Sequence, residues 1–531
     1  MSNTSLKSVR TRKGFTSTPQ NQKAVKGQIK NSDGGYVFKI SGLDQVKRFL
    51  ILGTNDSFYR SGTSLAKENA KTLIKVIESS PEAHVAVVDL IVEVSTEGRA
   101  PKQDPGLFAL AIASSHGETE GRKYALSKLN EVARTGSSLF TFLGYVSQFR
   151  GWGRSLKNAV ANWYLNKNAN KVAFQAVKYR NRAGYSHRDV FRMSHPVGFD
   201  QSVGNYILKG EVSADAPDVI KGFENAKGAA NATAVAMYIK TYGLTWEMVP
   251  TEFLNEKIVW EALLDSDNLP LGALIRQLGR LTQIGVIKPL GKHTKMIADR
   301  ITDQEELVKA RIHPINLLVA MKTYAQGKGI KGSGTWNPVS VITDSLDKAF
   351  YLAFKAVNPS GKRFLLGIDV SGSMTWGQCA GVPLQPCEAV SALALVIANT
   401  EPQTHMIGFA GTIRELPIKK SDSLDDVMRK TANMSFGATN PAAAIQYATR
   451  NGIEVDTFVI LSDNEANRGN QHAYQALEEY RRKFVSDAKL ITLDTEPTRY
   501  SIADTKDPLS LSIAGFDTST PQVVSEFSRG I

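Results

Sequence analysis

The chain has 531 residues, 42% hydrophobic and 22% charged, and 64 Lys plus Arg against 51 Asp plus Glu give a formal net charge of +13. This composition excludes collagenous and low-complexity classes, and two cysteines, Cys379 and Cys387, cannot make a disulfide scaffold. No run reaches the roughly 18 apolar residues of a membrane span, and no apolar stretch follows the basic N-terminus as in a signal peptide, so a reducing, cytoplasmic setting is expected.

Residues 1–32 are polar and lack an apolar period; the first 30 carry seven basic side chains (Lys7, Arg10, Arg12, Lys13, Lys23, Lys26, Lys30) and no acid. They read as a disordered electrostatic arm. From Leu43 to about Phe350 the pattern predicts helix after helix. The clearest runs are 43–52, 65–78, 83–94, 105–115, 123–134 and 156–164, then 230–242, 252–264, 271–281 and 316–324. Spacing such as Leu107, Ala109, Leu110 and Ala113 predicts one apolar stripe per helix. Many short helices with brief connections predict antiparallel pairs stacked as a repeat array.

From 361 to 531 the pattern changes to alternating strands and helices. Short apolar runs at 364–370, 406–410, 457–462 and 490–493 predict buried strands. The segments 386–400, 472–485 and 522–528 predict helices, with another opening at Asn440-Pro441. This alternation predicts a doubly wound α/β sheet, in which ligands sit beyond the carboxyl ends of the strands. Charge divides at the same place. Residues 361–531 hold 16 basic and 20 acidic side chains, a net of −4, which leaves 48 basic and 31 acidic, a net of +17, for 1–360. A polyanionic partner is expected for the first part.

Two predicted strands end in oxygen donors. The first runs into Asp369-Val370-Ser371-Gly372-Ser373, the second into Asp463-Asn464-Glu465, and Gly437-Ala438-Thr439-Asn440 precedes a helix between them. Asp369, Ser371, Ser373, Thr439 and Asp463 offer only hard donors, suited to Mg²⁺ or Ca²⁺ and unsuited to zinc. The set resembles the metal-ion-dependent adhesion site of von Willebrand factor A domains, Asp-x-Ser-x-Ser with a distant Thr and a distant Asp. It departs from that pattern in its Thr loop, GATN, where a second Gly and an Asp are common. The resemblance implies a divalent cation, Mg²⁺ above all, whose shell a partner's carboxylate completes. A strand-end hydrogen-bond network without metal is the other reading. Hydrolysis would need a general base, and no His or Lys adjoins the motif.

Between Gly151 and His195 lie nine basic residues, Arg154, Lys157, Lys167, Lys171, Lys178, Arg180, Arg182, Arg188 and Arg192, and a single acid, Asp189. Trp152, Trp163, Tyr164, Tyr179 and Tyr185 are interleaved with them. Cations pair with phosphates while aromatic and guanidinium planes stack on unpaired bases. The alternative is a solvated helix face over core aromatics, which is expected for Trp163 and Tyr164.

The segments EGRAPKQDPGLFALAIAS, GWGRSLKNAVANWY, AVKYRNRAGYSHRDVFRMSHP, KARIHPINLLVAMKTYAQGKG and PSGKRFLLGIDVSGSM, in this order along the chain, closely resemble the Ro autoantigen family. The likeness runs from about Gly34 to the C-terminus. It implies a ring of HEAT-like helical repeats, the TROVE module, over 33–360 and a von Willebrand factor A domain over 361–531. It also implies a monomeric ribonucleoprotein component that binds small noncoding Y RNA on the ring's outer surface. Single-stranded 3′ ends of misfolded or immature RNAs would enter the ring hole, in RNA quality control alongside a 3′ exoribonuclease. Carried over residue by residue, the Y RNA surface implies Lys178, Arg182, His187 and Arg188 as contacts, with Arg154 and Lys157 beside them. His187 alone would read as a satisfied core histidine.

Other motifs carry no chemistry. The Gly327–Gly334 segment lacks the GxxxxGK[ST] spacing of a phosphate loop. No nucleophile–His–acid arrangement is evident, so a noncatalytic protein without membrane contact is expected. The rivals to RNA binding are a metal-dependent protein-interaction scaffold and a phosphohydrolase using Asp369; the charge of the first part and the composition of 151–195 favour RNA over the scaffold, and the lack of a catalytic base disfavours the hydrolase.

Overall fold

The computed structural model describes residues 22–23, 29–30, 36–37, 43–53, 58–60, 67–97, 100, 102–330, 333–370, 374, 378–379, 382–409, 413–432, 440–462, 470–494, 502–504, 507, 509–516 and 518–530. They fall into two compact units, one within Val46–Asn55 and Ser64–Val357, the other within Met1–Gln45, Asp56–Thr63 and Asn358–Ile531.

The first unit is helical. Its early part comprises α1 (Asp104–Ala113), α2 (Thr119–Ser127), α3 (Gly136–Val146), α4 (Arg154–Leu165), α5 (Ala169–Lys178) and α6 (His187–Ser194). Helices continue to Ser340–Leu352, mostly packed on sequence neighbours. The single-stripe expectation fails for α1: Pro105 and every residue from Leu107 to Ala113 are buried. The reason is its place between α3 and the helices Lys67–Ile77 and Pro81–Thr96, which pack on it from several sides. The run expected as one helix over 123–134 breaks at Lys128, giving α2 and a separate Leu129–Val132 turn. The break turns Leu129, Val132 and Ala133 inward, and the Trp163 indole donates to the Ala133 carbonyl at 2.5 Å. The run expected over 252–264 likewise splits into a 3₁₀ turn, Thr251–Asn255, and a helix, Lys257–Asp265.

The second unit is built on a sheet of seven strands: β1 (Phe58–Arg60), β2 (Arg363–Asp369), β3 (Gln403–Phe409), β4 (Ile413–Glu415), β5 (Thr457–Ser462), β6 (Lys489–Asp494) and β7 (Ser510–Ala514). Their order is β1-β7-β6-β5-β2-β3-β4, parallel except for the antiparallel edge strand β4. All six β5 residues and six of seven in β2 are buried, as expected for central parallel strands. Helices α7 (Pro386–Thr400), α8 (Ala443–Asn451), α9 (Ala473–Lys483) and α10 (Thr520–Arg529) complete the doubly wound pattern. Gly367 permits the close approach of α8, because a Cβ there would stand 2.8 Å from that of Ala444. Tyr480 of α9 packs edge-on to Phe458 at 4.9 Å and donates its hydroxyl to the Ile453 carbonyl at 2.8 Å. Buried Lys489 donates to the Phe527 and Ser528 carbonyls, at 2.6 and 3.1 Å, capping the end of α10. Short strands interrupt the expected run of helices over 33–360: Tyr36–Val37, the pair Asn181–Arg182 and Tyr185–Ser186, and β1, which pairs with β7 of the second unit's sheet. Two or three residues are too few to show a period. Among the described residues no helix is long and apolar enough to cross a membrane.

Candidate nucleic-acid interface

The basic segment folds around a hairpin that its periodicity did not reveal. Asn181–Arg182 pairs antiparallel with Tyr185–Ser186. The two-residue loop places Ala183 at φ +51° and Gly184 at φ +79°, as a type I′ turn requires. The loop rests on α3 at Gly144, where a Cβ would come within 2.9 Å of the Ala183 Cβ. Beyond the hairpin α6 starts with a capping box. Ser186 Oγ accepts from the Asp189 amide at 3.3 Å, and Asp189 Oδ2 accepts from the Ser186 amide at 3.0 Å. The segment's single acid is therefore consumed in holding the helix start.

Arg180, Arg182, Arg188, Arg192 and Arg154 are exposed and Lys157 is half-buried, and none makes an ion pair among the described residues. Trp152 meets Tyr185 with ring centroids 6.4 Å apart, and α4 packs against α6, so the Arg154–Lys157 turn lies beside the hairpin. Half-buried Trp152 and Tyr185 offer flat faces amid the guanidinium groups.

Two of the expected contacts are placed otherwise. His187 is 4% exposed, its Nδ1 is 2.9 Å from the Tyr164 hydroxyl, and its ring meets Phe140 edge-on at 4.7 Å. Burial pushes its pKa down to about 3, so the ring is neutral at physiological pH. It cannot present a charge or an edge to RNA; it supports the start of α6 from beneath. Gly136 fits tightly above it, a Cβ there falling 2.6 Å from His187 Nε2. Lys178 is also drawn inward, its side chain 16% exposed and its ammonium 3.6 Å from a carboxylate oxygen of Glu247. Lys167 is structural as well: it lies 3.7 Å from the Trp163 ring centroid and donates to Asn130 Oδ1 at 2.8 Å. Burial, and then neighbouring Lys171, bring its pKa down to about 8. Arg180 and Arg192 join the exposed face, although only their composition had marked them. The S-x-x-D spacing of Ser186 and Asp189 was the readable sign that Asp189 is not a free charge.

In the α/β unit, the sheet order reverses between β2 and β5, whose carboxyl ends adjoin. Asp369 ends β2 with 2% exposure, and Ser462 Oγ donates to its Oδ2 at 3.0 Å. Ser371, Ser373, Thr439 and Asp463 lie outside the described residues. Asp369 is thus a buried carboxylate at the switch point, beside the strand that leads to Asp463.

Comparison with known proteins agrees with this architecture. The TROVE domain family matches residues 29–233 and 236–323, and the Ro60 vWA domain family matches 363–528. The chain is 38% identical to the RNA-binding protein RO60 of Deinococcus radiodurans, over 96% of this chain and 97% of that protein. It is 33% identical to the RNA-binding protein RO60 of Caenorhabditis elegans, over 96% of this chain and 91% of that one. The crystal structure of the D. radiodurans RO (RSR) protein superposes with a TM-score of 0.84 at 37% identity, covering 92% of this chain and 99% of that one. A helical repeat unit with a guanidinium-rich hairpin, joined to a von Willebrand A-type sheet and matched along nearly its whole length, places this chain in the Ro60 family.

Proposed function

We propose that the protein is a noncatalytic RNA-binding ribonucleoprotein component, whose hairpin face takes a structured small noncoding RNA of the Y RNA class. The observation that carries this reading is the group of exposed arginines around Arg182 and Arg188, which make no ion pair among the described residues and whose segment, 151–195, has its single acid locked in a helix cap. Cations without acids attract phosphates, and half-buried aromatics among them stack on bases. The names of the RO60 relatives point the same way. A separate surface would take single-stranded 3′ ends of misfolded or precursor RNAs, delivered to or received from a 3′ exoribonuclease. Asp369, with Ser371, Ser373, Thr439 and Asp463, would hold Mg²⁺, which supplies an electrophilic centre for a partner's carboxylate. The protein would act as a cytoplasmic monomer.

Filter-binding titrations at several salt concentrations test this. R182Q/R188Q should weaken a structured small RNA and lower its log–log salt slope by about two units, one per lost phosphate contact. A short single-stranded 3′ end should lose much less. Equal losses for both ligands would mean one shared surface, and salt-independent binding would remove the electrostatic basis altogether.

A further inference from the structure

A second basic site shares the start of α4 with the hairpin face. Arg122, Lys123 and Arg150, with the hydroxyl-bearing Ser115, Thr119 and Ser155, line a cleft of ≈280 Å³ where the end of α1, the start of α2, the segment after α3 and the start of α4 converge. Those distant stretches share no sequence motif, so only folding brings them together. No carboxylate lines the cleft.

Both guanidinium groups are held in place yet incompletely used. Arg150 Nη1 donates to the Ser114 carbonyl at 2.5 Å, and Arg122 Nη2 donates to Thr119 Oγ1 at 3.0 Å. Neither forms an ion pair among the described residues. Lys123 alone is neutralised, 2.7 Å from Glu120 at an exposed rim where the two side chains are 55% and 83% exposed. Burial, and then the charge of Arg122, lower the pKa of Arg150, as expected of like charges facing one cavity without an acid. Such an arrangement is unfavourable until an anion enters. Fixed guanidinium forks with hydroxyl donors suit the oxygens of a phosphate, which arginine binds through two parallel hydrogen bonds. A cleft of ≈280 Å³ has room for a small anion such as a phosphate group.

We propose that this cleft binds one phosphate group, either free or as a phosphodiester of a nucleic-acid strand, with Arg122 and Arg150 as its ligands. The site rests on its own donors rather than on the hairpin reading. Phosphorus NMR of inorganic phosphate with the full-length chain, at ionic strength fixed by chloride, tests it. The resonance should broaden saturably with the wild type and with R182Q, and at least about tenfold more weakly with R122Q or R150Q, since one charged hydrogen bond is worth a tenfold change or more. R150K keeps a donor for the Ser114 carbonyl, and melting curves of all variants report on folding. In a second arm, a short single-stranded RNA distinguishes the sources. A salt slope lower by about 0.7 unit in R122Q, with competition by phosphate, identifies a phosphodiester. An unchanged slope with lost phosphate broadening identifies a free anion. Folded R122Q and R150Q that match the wild type in both arms would overturn the proposal. The hairpin variants test RNA binding separately, so either conclusion can fail without the other.

Discussion

His187 separates a structural from a recognition role more sharply than any other residue of the basic segment. In the folded chain burial holds its pKa down at about 3, against roughly 6.5 for an exposed imidazole. Above pH 6.5 the ring is neutral in both folded and unfolded chains, and its buried packing stabilises fully. As pH falls below 6.5 the unfolded chain takes up a proton that the folded one refuses. Stability should therefore decline by about 1.4 kcal/mol per pH unit until about pH 3, or about 2 kcal/mol between pH 6.5 and 5. His84 is also depressed, chiefly by burial, and burial brings His313 down to about 4, so the acid response of the wild type is a sum. The difference between wild type and H187Q isolates one contribution, because the amide cannot take up that proton. H187A should cost about 3–5 kcal/mol at neutral pH, from a lost buried ring and an orphaned Tyr164 hydroxyl. Urea denaturation at pH 7, 6 and 5 measures both effects, and RNA filter binding of folded H187Q should retain the wild-type salt slope. Equal acid sensitivity in H187Q and wild type would refute the buried neutral ring. So would a collapsed RNA salt slope in H187Q at unchanged stability, which would put the imidazole back on the surface.

G144V should drive the Ala183 turn off α3, costing about 1–3 kcal/mol by overpacking and weakening structured RNA while spectroscopic helix content is kept; unchanged affinity would show that the hairpin's placement is irrelevant. D369A should abolish Mg²⁺ binding in calorimetric titrations and leave RNA affinity within about twofold, because the basic face lies in the other unit; a large RNA loss in a folded variant would contradict that division. D456N should lower the stability of the α/β unit by about 1.5–3 kcal/mol, read as a urea midpoint. Asp456 accepts from Arg363 Nη2 at 2.7 Å, Nε at 3.1 Å and the backbone amide at 2.8 Å, and a neutral amide cannot match that fork. A midpoint unchanged from wild type would show that solvent already screens the pair.

The sheet was legible where strands were buried on both faces. Thr457–Ser462 and the helix Pro386–Thr400 fall where apolar runs and a first-turn proline put them. Short edge elements were not, since Phe58–Arg60 and Ile413–Glu415 owe their conformation to a partner strand rather than to their own pattern. At the basic segment, composition identified the charge but not its direction. A helix carries cations on every side, and only packing shows that Lys178 turns toward Glu247 while Arg182 and Arg188 face outward. His187 was carried over by likeness of wording, which records identity and not depth. The Arg122–Arg150 cleft left no linear trace.

The pairing of β1 with β7 joins residues near opposite ends of the chain, with Phe58 opposite Ser512. During synthesis β1 emerges early and waits while nearly the whole polypeptide follows before its neighbour exists. A fragment beginning at Asn358 would contain six of the seven strands and leave β7 as a bare edge, a ready template for association with another chain. The unit is thus discontinuous in the gene though continuous in its hydrogen bonds. Cutting the chain between its two family domains would yield an open sheet in place of a finished module, and only a design that supplies the 56–63 segment in cis or in trans would close it.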